Sequence, residues 1–369
     1  MGLINIHFFL LFLAFGFAES FGPVYFYKIG LSLSDIAIYW AIFFIIRALF
    51  RPIIIHIAHA FDLKKIFSLS ILFFSGRYIL YSFVKEPGLM MVGLLVYEAM
   101  ASTMYWVIYH AYFAALSSNE KAGTQVATRD MMLHFARLLS PFIASLIIDN
   151  VGFSAAFIAA AAISASSVLP LLNQPMKEIH IKDFSWKKAL VVDKSGAFLY
   201  GVAGIQEYGH NFLWRLVIFL SLGSYVGFGA LLSLSILFQI VGNFFVGRHF
   251  DRTKSITLPI IGLSIVALVF VARSALPTTV AIIVGLDIIF VIGSILHGPY
   301  VSAINYQRSK KSHSTLLFQF WSELGWDCAS ISTLLLSSLL LSLGVPLKGV
   351  MLLGIIGIFG TKLAIKRYR

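Results

Sequence analysis

Apolar positions in this chain fall into runs longer than the helices of a soluble core. Cut by Gly, Pro and charged residues, they lie near 3–27, 35–58, 66–84, 89–115, 125–148 and 153–172. After a polar stretch they resume near 197–221, 226–247, 256–273, 279–306, 315–342 and 346–364. About 20 apolar residues in a helix cross a hydrocarbon core of roughly 30 Å, so each run predicts one membrane span. The pattern therefore predicts an all-α polytopic protein of twelve transmembrane helices joined by short turns. No Lys or Arg precedes Lys28, so the first run lacks the basic region of a cleaved signal and is read as a retained helix.

Composition supports this reading: 59% of residues are hydrophobic and 12% charged, against about 45–50% and 25% in soluble domains. In a soluble chain the net charge of +12 would suggest a nucleic-acid partner. Here it must first be placed relative to the bilayer, because cytoplasmic loops of membrane proteins are rich in Lys and Arg. With the N-terminus inside, 18 of the 28 basic residues fall in cytoplasmic segments. Lys28, Lys85, Arg273 and Lys348 fall outside, and Arg47, Arg51, Arg77, Arg129, Arg137 and Arg215 fall within spans. The bias predicts that both termini are cytoplasmic in a plasma membrane, specifically a bacterial inner membrane, with no nucleic-acid partner. Cys328 is the sole cysteine, so no disulfide framework or CxxC metal site is expected.

The polar stretch, with five Lys, Phe184 and Trp186, predicts a cytoplasmic linker over 173–195 between halves 1–172 and 196–369. It is read either as lying along the membrane surface or as plainly solvated. The halves share landmarks at a near-constant offset. Glu19 and Glu207, Tyr112 and Tyr300, and Lys85 and Arg273 are each 188 residues apart, and Asp62 and Asp251 are 189 apart. This predicts a duplicated six-span unit in parallel orientation.

At the end of the eighth run stands Gly247-Arg248-His249-Phe250-Asp251-Arg252, and the first half carries a reduced version, Ala58-His59-Ala60-Phe61-Asp62-Leu63. This GxxxDR loop between the second and third helices of each six-helix repeat resembles the signature loop of the major facilitator superfamily. The resemblance implies two six-helix bundles around a central cavity, lined by helices 1, 4, 7 and 10, whose rocking alternates access between the two sides. Asp62, Gly247, Asp251 and Arg252 would then be gating elements. The stretch around Ser140-Pro141 resembles the superfamily's antiporter motif GPxxGG, with Ser140, Ala144 and Ser145 in place of glycines.

An ionised group at the bilayer centre costs roughly 2.5–3.5 kcal/mol on insertion scales, which makes charges within spans candidates for function. The alternative at each position is a pin between helices. The first run offers Glu19. The seventh offers Glu207, His210, Asn211 and Trp214 at i, i+3, i+4 and i+7, which on an α-helix share one face. These are expected to bind solute or, alternatively, to form a polar interface between bundles. The eleventh run carries Glu323 and Asp327, close enough on one face that one carboxyl should stay protonated and carry a proton. Asp287 and His297 add groups in the tenth run.

Leaving out charges at the span ends, spans of the first half sum to +2 and those of the second to −3. On this asymmetry Arg47 and Arg137 are expected to hold an anionic or zwitterionic small-molecule solute, while Glu207, Glu323 and Asp327 handle a coupling proton. The resulting expectation is a monomeric, proton-coupled secondary transporter in the lipid bilayer, without cofactor or metal. The alternatives are an exporter of cationic drug-like compounds and a non-transporting receptor or scaffold. No P-loop, HExxH or nucleophile-elbow pattern is present, so enzymatic function and ATP-driven transport are not expected.

Overall fold

Every one of the twelve runs is helical in the computed structural model, which describes residues 2–116, 122–172, 194–253, 255–312 and 315–368. In the first half the order is α1 Gly2–Glu19, α2 Gly22–Lys28, α3 Leu33–Ala60, α4 Leu63–Phe83, α5 Leu89–Leu116, α6 Ala122–Asn150, α7 Phe153–Ser166 and α8 Leu169–Leu172. The second half has α9 Ser195–Gln206, a π turn at Glu207–Asn211, α10 Phe212–Leu222, α11 Tyr225–Thr253, α12 Thr257–Ala275 and α13 Val280–Lys311. It ends with α14 Thr315–Ser342, α15 Leu347–Val350, a 3-10 turn at Met351–Leu353 and α16 Gly354–Tyr368. No strand occurs among the described residues. Helices satisfy every backbone polar group within one segment, as a hydrocarbon solvent demands.

Among the described residues, eleven stretches are long and apolar enough to cross a membrane. The remaining run is also helical but is divided by the π turn between α9 and α10. Pro23 falls at the start of α2, where its missing N–H costs nothing and its fixed φ suits a helix beginning. The turns after the first and seventh runs contain Gly30 and Gly223, and those after the fifth and eleventh contain Gly152 and Gly344. All four have positive φ, a backbone region that other residues enter only with strain. Each half thus closes the same turns by the same device.

By internal contacts the chain forms two compact units, Met1–Ser32 with Ile42–Val191, and Leu33–Ala41 with Val192–Arg369. Within the first, α1 packs on α6 and α7, and α4 on α5 and α7. Within the second, α9 packs on α14 and α16, α12 on α13, and α11 on α13. The pairing of first with fifth and third with fourth helices is therefore repeated. A glycine at the crossing of first and fifth helices recurs as well. A Cβ on Gly16 of α1 would sit on the Ser140 side chain, and one on Gly204 of α9 would meet the Trp326 carbonyl oxygen at 3.1 Å and Ser330 Oγ at 3.2 Å. Small residues at such crossings let helix backbones approach where no water drives association.

Lipid-facing surfaces are legible from exposure. On α6 the exposed apolar residues Met131, Phe135, Leu139, Phe142 and Leu146 follow steps of three and four, forming a single stripe.

Two expectations are corrected. Arg273, assigned to an outer loop, lies in the last turn of α12 and is 1% exposed. An ion pair to the next helix, described below, draws it inward. A shared face for Glu207, His210 and Trp214 is also not formed. The π turn inserts one residue between Glu207 and Trp214, which swings positions beyond it by about 100° relative to an α-helix. The expected linker 173–195 lies outside the described residues except for its last two. The side chains of Asn211, Gly247, Asp251 and Arg252 also lie outside those described.

Candidate functional site

In each unit one buried arginine on the third run of the repeat holds a network of polar partners. In the second unit Arg273 Nη2 donates to Asp287 Oδ1 of α13 at 2.9 Å, and its Nη1 donates to His210 Nε2 in the π turn. Asp287 also accepts from Trp214 Nε1 at 3.1 Å and from the Ser235 hydroxyl of α11. The guanidinium lies 4.0 Å from the Trp214 ring centre and 4.7 Å from that of Phe290. His210 stacks on Phe270 with centroids 3.6 Å apart. A buried guanidinium cannot shed its proton, so it needs an anion and aromatic faces around it. Here α13 supplies the anion and, with α10, the aromatic faces.

The π turn serves this arrangement. His210 and Trp214 turn inward to Arg273 and Asp287, and both are buried. Glu207 points elsewhere: its carboxylate is 3.7 Å from Arg215 Nη2, and both side chains are about a third exposed. The predicted polar face is thus divided into a buried network and an accessible ion pair.

In the first unit the arginine is Arg77 of α4, 1% exposed. Its Nη1 lies 3.4 Å from Glu98 Oε1 of α5 and 3.5 Å from Glu19 Oε1 of α1, and its Nη2 donates to the Tyr78 hydroxyl at 2.7 Å. Tyr81 donates to Glu98 Oε2 at 3.0 Å. Phe74 lies under the guanidinium, 3.8 Å away. Glu19 thus reaches Arg77 while keeping roughly a quarter of its side chain exposed.

The other candidates are distributed as follows. Arg47 is buried on α3, its guanidinium 5.2 Å from the Phe44 ring centre. Arg137 is exposed on α6 and lies 5.5 Å from the ring centre of Phe12 on α1. Phe12 in turn neighbours Trp106 of α5, which stacks on His110. Glu323 of α14 is partly exposed and Asp327, one turn on, is fully buried. Asp62 caps α4, its carboxylate accepting from the Lys65 backbone N–H at 3.0 Å. No cluster of His, Cys, Asp and Glu suited to a metal ion occurs among the described residues.

Sequence reasoning missed Arg273, Tyr78, Tyr81 and Ser235 as members of these networks. A signal for Arg273 was present. It stands at the end of an apolar window and is followed 14 residues later by Asp287 in the next one, and two opposite charges on successive spans are natural partners in a bilayer.

These features define a multi-pass helical membrane protein with two related sets of helices, each pinned by buried charge. The sequence matches the family described as Major Facilitator Superfamily over residues 6–326, and the chain belongs to this superfamily of membrane transporters. Comparison with curated protein sequences gives no match. Among solved structures the chain is similar to a bacterial homologue of the human lysosomal transporter Spinster, in an inward-facing and unoccupied conformation. Identity is 13% and the TM-score 0.65, over 99% of this chain and 95% of that one. It is also similar to the nucleoside transporter NupG, at 14% identity and a TM-score of 0.70, over 100% and 99% of the two chains. At such identities the likeness concerns the fold.

Proposed function

We propose that the chain is a proton-coupled secondary active transporter of a small anionic or zwitterionic solute, working by alternating access. Arg137 carries this reading. It is an exposed cation in the middle of α6, on the side opposite the apolar stripe of Met131, Phe135, Leu139, Phe142 and Leu146. An arginine at that depth is expensive against lipid, so its exposure is best explained by a water-filled path. There it meets a solute carboxylate or phosphate through a forked donor pair, with Phe12 beside it and Trp106 next to Phe12. Arg47 is assigned as a second anion contact.

Glu207, Glu323 and Asp327 are assigned to proton coupling. Protonating Glu207 would release its partner Arg215, a charge change available on an accessible pair. Asn211 stays a solute candidate. His210, Trp214 and Glu19 are read as positioning groups, held by Arg273, Asp287 and Arg77. Asp62, Gly247, Asp251 and Arg252 are read as gating elements, and 1–172 and 196–369 as two six-helix bundles joined by a linker over 173–195. The monomer would lie in a bacterial inner membrane with both termini cytoplasmic, as the basic-residue bias supports.

The test is uptake in proteoliposomes under an imposed pH gradient, with substrates found by a thermal-shift screen of anionic, zwitterionic and cationic solutes. Arg137→Gln should abolish anion uptake. Glu323→Gln with Asp327→Asn should abolish gradient-driven accumulation but leave solute exchange. Gradient-driven uptake unchanged in that double variant would refute the coupling assignment. Shifts with cations alone would refute the anion assignment.

A further inference from the structure

We propose that a cavity at one membrane boundary of the second unit binds a phosphate group, supplied by the headgroup of an anionic phospholipid. The cavity has a volume of about 550 Å³ and is lined by Lys194, Ser195, Phe198, Arg308, Arg367 and Tyr368. Three of these six side chains are cations and none of the lining residues is acidic. They come from the start of α9 and the ends of α13 and α16, three helix termini that share one side of the membrane in an alternating topology. The size is within the range of small-molecule sites, about 300–1,000 Å³.

The arrangement favours an anion with an apolar body. The guanidinium groups of Arg308 and Arg367 lie 4.6 and 5.5 Å from the Tyr368 ring centre, and Phe198 meets the same ring at 6.3 Å. Two guanidinium groups against one ring concentrate positive charge at the cavity, and forked donors of this kind suit phosphate oxygens. The N-terminus of α9 adds first-turn backbone N–H groups without intrahelical partners and the positive end of a helix dipole. Phe198 and Tyr368 give the glycerol and upper acyl region an apolar wall. This site is separate from the charge networks of Arg77 and Arg273 and from the proposed solute path, and it does not depend on the solute assignment. On the orientation proposed above, it faces the cytoplasmic leaflet, where anionic lipid is attracted to basic clusters.

The experiment titrates the full-length protein in a neutral detergent with short-chain phosphatidylglycerol, phosphatidylcholine or inorganic phosphate, reading the thermal midpoint and lipid adducts by native mass spectrometry. Phosphatidylglycerol should raise the midpoint and form a retained adduct, and phosphatidylcholine should not. Arg308→Gln and Arg367→Gln should each weaken phosphatidylglycerol binding about fivefold, and more together, at the scale of one cation beside a membrane anion. Lys194→Gln provides an independent variant on another helix end, should Arg308→Gln fail to fold. A shift with inorganic phosphate alone would keep the phosphate site and place its source in solution. Equal phosphatidylglycerol binding by wild type, Arg367→Gln and Lys194→Gln, or equal retention of phosphatidylcholine, would overturn the proposal.

Discussion

Asp287→Ala tests whether the network around Arg273 is a structural pin. The substitution leaves Arg273 buried without the carboxylate 2.9 Å away, and Trp214 Nε1 and the Ser235 hydroxyl lose their acceptor. Removing one partner of a buried pair costs about 3–5 kcal/mol. For a body of roughly 150–250 residues, each kcal/mol lowers the thermal midpoint by about 2–4 °C, so the apparent midpoint should fall by roughly 10 °C. Asp287→Asn, which retains an acceptor but not the charge, should fall between. Pairing Arg273→Met with Asp287→Leu removes both charges and should recover much of the loss, since a well-packed apolar replacement of a buried pair is often neutral. The assay is fluorescence-detected thermal unfolding of purified protein in one detergent. A midpoint for Asp287→Ala equal to wild type would refute the reasoning. So would a double variant no more stable than Asp287→Ala, because the stranded arginine would then not be the source of the loss.

Four further outcomes are expected. Gly325→Ala should strongly reduce folded yield in size-exclusion profiles, because its Cβ would fall on the Ala197 backbone, which cannot yield without parting α9 from α14. Gly16→Ala should be damaging but rescued in part by Ser140→Gly, since the obstacle there is a side chain. Gly204→Ala, with contacts of 3.1 Å and longer, should lower the midpoint less than Gly16→Ala. Asp62→Ala should cost about 1 kcal/mol through loss of the α4 cap, while Asp62→Asn should stay near wild type, both read from the same thermal assay.

The spans were legible because a bilayer enforces a simple rule: apolar runs end where Gly, Pro and charge gather. The run predicted at 315–342 coincides with Thr315–Ser342, and 89–115 extends by one residue to Leu116. The site was less legible. Spacing at 3.6 residues per turn places Glu207 beside Trp214 only if the helix is regular, and the π turn between them depends on contacts with other helices. Here a Cβ on Gly209 would meet the Gly354 backbone nitrogen at 2.7 Å, and His210 reaches Arg273. Such partners lie well away along the sequence, outside the reach of a periodicity read within one helix. Arg273 was misplaced for a related reason. A charge at the end of an apolar run looks like an interfacial anchor until its partner on the next helix is known.

The networks of Arg77 and Arg273 differ in their order of synthesis. Arg273 precedes Asp287 by 14 residues, so this cation leaves the ribosome before the carboxylate that neutralises it, whereas Arg77 follows Glu19 by 58 residues and meets an anion already made. A helix delivered alone into lipid would carry an unmatched guanidinium at a cost of a few kcal/mol. Helices α12 and α13 are therefore expected to enter the membrane as a hairpin, Arg273 waiting at the insertion machinery until the next span arrives.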